Sequence, residues 1–167
     1  MLPNDLKCLL IRDATATTSA CAMAVDVGSL EDSVNGIAHL CEHMLFQGSF
    51  KYPDTKAYQT ILSEHGGSHN ALTSEDITIY HFDCTTGFEI VLDHFCNFFI
   101  SPSFDADALQ AEINMIDSEF KKNLSQDDKQ LWQFVKSVVA DKNAPLSRFG
   151  TGNKESLQIE GIRDSLI

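Results

Sequence analysis

"GIAHLCEHMLFQGS" (residues 36–49) places two histidines four positions apart, with a glutamate directly before the second, inside an apolar run. Ser33 offers an N-cap and Gly48 a terminator, so the spacing predicts a helix over 34–47. On a wheel of about 100° per residue, His39, Glu42, His43 and Phe46 fall in one narrow sector. Ile37, Leu40, Cys41, Met44 and Leu45 fill the opposite side, so the apolar face is complete without the polar trio. Histidines at i and i+4 project from one face a turn apart, which lets both imidazoles reach a single cation. Helical histidines are equally often surface or core residues satisfied by ordinary hydrogen bonds. The motif by itself leaves both open.

Working outward, "LKCLLIRD" (residues 6–13) and "SACAMAVDVGS" (residues 19–29) are short β-compatible runs joined by a Thr/Ala-rich turn, which predicts two paired strands. A second helix is expected over 55–64, closed by Gly66 and Gly67. "SEDITIYHFD" (residues 74–83) alternates Ile77, Ile79 and His81 against Thr78, Tyr80 and Phe82, the period of a strand. Helical spacing returns over 87–100, ended by Pro102, and over 107–123, capped by Asp105. A last helix is expected near 129–140, and 143–167 shows no clear period. Strands grouped with several helices predict an α+β layer fold, a mixed, mainly antiparallel sheet with helices on one face.

The bulk numbers exclude several classes. A chain of 167 residues is expected to form one domain and needs no disulfides to hold a core. A formal charge of −12 argues against nucleic acid or an anionic membrane as partner. No apolar run is long enough to span a membrane. The five cysteines form no C-x-x-C pair, which fits reduced thiols and a cytosol-like compartment; no signal peptide is visible.

The predicted helix over 107–123 bears on the histidines. Glu112 and Glu119 are seven apart and share a face with Leu109, Ile113, Ile116 and Phe120, which should point inward. An inward carboxylate is costly unless a cation compensates it. A rotated helix would instead leave both at the edge of the apolar stripe. A catalytic zinc has three protein ligands and one open position. His39 and His43 supply two, and an inward glutamate can supply the third. Glu42 can then take a proton from water that zinc acidifies to a pKa of about 7. That is metal-assisted hydrolysis.

The order H-x-x-E-H is the inverzincin signature. Together with "VGSLEDSVNGIAHLCEHMLFQGSFKYP", "LSEHGGSHNALTSEDITIYHFD", "EINMIDSEFKKN" and "FGTGNKESL", it makes nearly the whole chain similar to the N-terminal catalytic domain of insulysin/pitrilysin-type zinc metallopeptidases. "SRFGTGN" (residues 147–153) is most similar to the insulin-degrading branch. The resemblance implies one Zn²⁺ per chain held by His39, His43 and Glu119. It implies Glu42 as general base and Glu112 as a second acidic residue supporting catalysis from the same helix. It further implies that peptide substrates add as a β-strand beside residues 68–74, with Asn70 and Ala71 lining the cleft.

Family members are much longer, and the resemblance implies a second half that closes over the zinc and contributes an arginine and a tyrosine. This chain is therefore expected to be a truncated catalytic domain, working with a C-terminal half or partner subunit. The alternative is a non-catalytic zinc-binding or partner module. His65 and His69 flank Gly66-Gly67 and are expected in a loop; His81 and His94 are expected to be structural.

Overall fold

The strand β3, Thr78–Cys84, lies in the middle of the sheet, and its alternation explains why. Thr78, Tyr80, Phe82 and Cys84 are buried on one face, while His81 and Asp83 are exposed on the other. β1 (Ser19–Val25) and β2 (Ser68–Thr73) pair with it antiparallel on either side, so that Ala22 and Asn70 both stand opposite His81. The strand order is β1-β3-β2, which leaves β2 at an edge. The computed structural model describes residues 1–167.

Helices α1 (Ile37–Leu45), α2 (Ala57–Glu64) and α3 (Phe88–Ile100) cover the apolar face of the sheet. Leu40, Met44, Leu62, Val91 and Phe95 are completely shielded and meet Phe82 beneath them. Each such side chain contributes about 1.5–3 kcal/mol by leaving water. The α+β architecture with helices on one face of an antiparallel sheet is as expected. α4 (Ala106–Asn123) lies against α1 and adds Ile113 and Ile116 to the core. α5 (Asp127–Val139), a short α6 (Lys154–Leu157) and two 3₁₀ turns complete the chain. No helix is long and apolar enough to cross a membrane.

Three expectations are corrected. Residues 6–13 form no strand: β1 pairs only with β3, and Leu9, Leu10 and Ile11 are more than four-fifths exposed. Apolar β-formers make a strand where they gain both an edge to pair with and a face to bury; the outer edge of β1 is free, but no layer covers residues 6–13. Residues 74–77 are the hairpin loop between β2 and β3, closed by the Ser74 N–H to the Ile77 carbonyl at 2.9 Å. Ser33 does not cap α1. Asp32 does so from further back, its carboxylate accepting from the N–H of Gly36 (2.8 Å) and of Ala38 (3.0 Å).

Candidate metal centre

Two helices build the site. α1 is pinned at its start by Asp32 and held down by Leu40 and Met44, which turns His39 and His43 toward α4 and Glu42 toward the end of β2. α4 begins on the Asp105 carboxylate, which accepts from the Ala108 N–H at 2.8 Å, as its sequence predicts. Ile113 and Ile116 press into the core and fix the helix's rotation, so Glu112 and Glu119 face α1 two turns apart.

Glu119 Oε2 lies 3.6 Å from His39 Nε2 and 3.9 Å from His43 Nε2. The ligand atoms of all three residues fall within 4.8 Å of one another. Ligands about 2.0–2.1 Å from a tetrahedral zinc stand roughly 3.3 Å apart, so a small contraction closes the set. The two rings are nearly perpendicular, 86°, with centroids 4.7 Å apart. Each presents Nε2 because its other nitrogen is engaged. His39 Nδ1 donates to the Thr151 carbonyl at 2.8 Å, and His43 Nδ1 meets Glu112 Oε2 at 2.8 Å. Such outward hydrogen bonds are the usual companions of metal-binding imidazoles. The donor set fits zinc: two imidazole nitrogens, each on a ring held by an outer partner, and one carboxylate oxygen.

Burial disfavours the charged form of His43, but the hydrogen bond to Glu112 and the charges of Glu112, Glu42 and Glu119 outweigh it, and its pKa is raised. This surplus of negative charge facing the imidazoles is what a dication would neutralise. Cys41, on the far side of α1, is pushed up to about 11 by burial, with the Glu42 charge adding to it. It is a poor ligand.

Glu42 is buried beside the histidines, and Thr73 at the end of β2 donates its hydroxyl to Glu42 Oε2. Together these residues line a cleft of about 1020 Å³. One wall is β2, with Asn70 exposed and Ala71 half-buried; the opposite wall is formed by Phe120, Asn123, Trp132 and Gln133 of α4 and α5. Glu112 stands behind His43, outside the cleft lining, where its second oxygen accepts from Gln47 Nε2 at 2.8 Å.

Sequence reasoning missed Gln47, Thr73 and Thr151. Gln47 was findable, since it is one turn beyond His43 on the same face. Thr73 and Thr151 were not, because a hydroxyl two residues past Ala71 and a backbone carbonyl carry no signature of their own. The remaining histidines lie apart from the centre. His65 closes α2 and pairs with Thr86, and His94 stacks on Tyr52; His69, expected in a loop, lies instead on β2, which starts directly after Gly67, and packs against Phe46 (ring centroids 4.7 Å apart).

Residues 7–151 match the family model described as insulinase (peptidase family M16). The chain belongs to the insulinase family. It is 46% identical over 160 residues to the insulin-degrading enzyme of Homo sapiens, covering 94% of this chain and 16% of that protein. A relative in Schizosaccharomyces pombe whose name describes a zinc protease is 39% identical over 159 residues, covering 93% of this chain and 16% of the relative. The crystal structure of pitrilysin superposes with a TM-score of 0.86 at 30% identity, covering 92% of this chain and 17% of that one. This insulinase-family chain therefore spans about one sixth of the length of the proteins it matches.

Proposed function

We propose that the chain is the zinc-binding catalytic domain of a metalloendopeptidase. One observation carries this: a carboxylate oxygen within 3.6 Å and 3.9 Å of two imidazole nitrogens, with a second carboxylate beside them in an open cleft. His39, His43 and Glu119 would hold one Zn²⁺. When bound, the ion supplies Lewis acidity, which acidifies water and polarises a peptide carbonyl.

The chain's own residues do the rest. Glu42 accepts the proton of the attacking water and can deliver it to the leaving amine. Thr73 holds Glu42 Oε2 and so leaves Oε1 for that transfer. Glu112 acts through His43, steadying the ring from behind; it supports catalysis by positioning and does not touch the reacting atoms. The outer edge of β2 lies along the cleft, where an extended peptide can add as a strand past Asn70 and Ala71. Peptides are the proposed substrates. All five cysteines are free, which favours a reducing, cytosol-like compartment.

The resemblance implies oxyanion-stabilising side chains in a further half of the protein or a partner subunit, and losing such donors typically costs ~100-fold or more in rate. The chain by itself is therefore expected to bind zinc and cleave slowly. A purely zinc-binding module is the second reading, favoured by a cleft lining that includes no arginine and no tyrosine to stabilise an oxyanion. Zinc analysis together with a fluorogenic peptide assay separates the two. Brisk cleavage by the chain, abolished by Glu42→Gln, rejects the module; purified chain that takes up no zinc rejects both.

A further inference from the structure

The two histidines are held from behind in different ways. His43 leans on a carboxylate, whereas His39 leans on a main-chain carbonyl 112 residues away. We propose that the segment 148–156 is a latch whose Thr151 carbonyl fixes the tautomer and orientation of His39, and that the contact between Gly36 and Gly152 is what lets it close. This rests on the metal-site reading, which gives the tautomer its purpose.

A carbonyl oxygen has no proton to give, so the hydrogen in the 2.8 Å contact sits on His39 Nδ1. Neutral His39 is then the Nδ1–H form, and its lone pair lies on Nε2, the atom facing Glu119. To bring that carbonyl so near the first turn of α1, two backbones must touch. Gly36 (φ 90°) and Gly152 (φ 73°) both adopt the left-handed conformation that side chains disfavour. A Cβ on Gly36 would lie 2.3 Å from Gly152 Cα and 2.9 Å from the Thr151 oxygen itself. A Cβ on Gly152 would lie 2.9 Å from Gly36 Cα and 3.0 Å from the Asn35 oxygen. Most of the obstructing atoms are main chain, so the contact cannot relax by a side-chain rotation.

The latch is fastened on both sides. Arg148 donates to the Asp32 carbonyl at 2.7 Å, and the carboxylate of that same Asp32 caps α1. Ser156 donates to the Asn35 carbonyl at 2.9 Å while closing a capping box with Asn153. The Lys154 N–H donates to Asp117 at 3.1 Å, two residues before Glu119 on α4. One short segment thus ties the helix bearing two ligands to the helix bearing the third. Loop packing alone would account for the fastenings, but it does not require a carbonyl aimed at an imidazole nitrogen.

Nitrogen-15 spectra of the histidine rings in the metal-free 167-residue chain, recorded well above the imidazole pKa, read the tautomer directly. The latch requires His39 as Nδ1–H in the wild type. In Gly152→Ala it requires loss of that preference and zinc affinity weakened about 10–100-fold, with helix content kept by circular dichroism. Ser156→Ala, which removes one fastening without adding a clash, should shift both readings in the same direction by less. A wild-type chain that binds zinc but carries His39 as Nε2–H overturns the latch alone, as does a folded Gly152→Ala with unchanged affinity. Should Gly152→Ala fail to fold, the wild-type tautomer and Ser156→Ala decide the matter. A wild type that shows Nδ1–H but binds no zinc instead strikes the metal-site reading and, with it, the latch's purpose.

Discussion

Helices α1 and α5 carry similar amphipathic patterns and are buried opposite ways round. In α1 the polar residues His39 and Glu42 go inside together with Leu40 and Met44. In α5 the regular apolar stripe of Leu131, Phe134 and Val138 is 62–66% exposed, while Lys136 is only 7% exposed. Its ammonium donates to the Arg148 carbonyl at 3.0 Å and lies 3.7 Å from Glu75. The difference lies in the neighbours. α1 has the sheet on one side and α4's carboxylates on the other, whereas α5 meets the cleft through Trp132, Gln133 and Lys136. Periodicity defines a stripe, and the element across from it decides whether the stripe is covered.

The comparison breaks most visibly if the polar interior of α1 is not there for a metal. His43→Ala should lower zinc affinity about 1000-fold, roughly one ligand's share of a site worth ~12 kcal/mol, when measured by competition with a chelator. Val138→Ala, a truncation in the exposed stripe of α5, should leave it unaltered. Stability sharpens the contrast next. Met44→Ala should cost about 2–5 kcal/mol in denaturant unfolding of the metal-free chain. Phe134→Ala, also a large apolar deletion, should stay within about 0.5 kcal/mol because the ring is already in water. Equal losses at the two positions would mean that the α5 stripe is covered in solution.

Smaller effects follow at the outer partners. Glu112→Gln keeps the shape behind His43 but removes the charge, and should weaken zinc binding about 10–100-fold by the same competition assay. At Glu75, burial raises the carboxyl pKa, but hydrogen bonds from Trp132 and Ser74 and the Lys136 charge bring it below its ordinary 4.5. A depressed carboxylate stabilises the fold above its unfolded pKa, and that contribution fades as pH falls through the folded value. Thermal melts below about pH 4.5 should therefore decline less steeply in Glu75→Gln, by less than about 1 kcal/mol for a pair still partly open to solvent.

The site was more legible than its surroundings. His39, Glu42 and His43 stood out because the apolar face of their helix was complete without them, and Glu112 and Glu119 because they shared a face expected to point inward; which of those two glutamates would hold the metal came only from the family resemblance. The bounds of α4 followed from Asp105, a cap whose chemistry is local. The misplaced strand over 6–13 and the unforeseen Asp32 cap share one cause: pairing partners and reach across a loop are tertiary facts. Thr151 shows the limit most clearly. What it offers His39 is a backbone oxygen that every residue has, and only the crossing of two glycines reveals that it is used.

X-ray absorption at the zinc edge, on the chain loaded with one equivalent, tests the central claim most directly. The account predicts a first shell of nitrogen and oxygen at about 2.0–2.1 Å with the outer scattering of two imidazoles and no sulfur. A zinc–sulfur distance near ~2.3 Å, or metal that washes away to leave less than about one ion in ten chains, would contradict it.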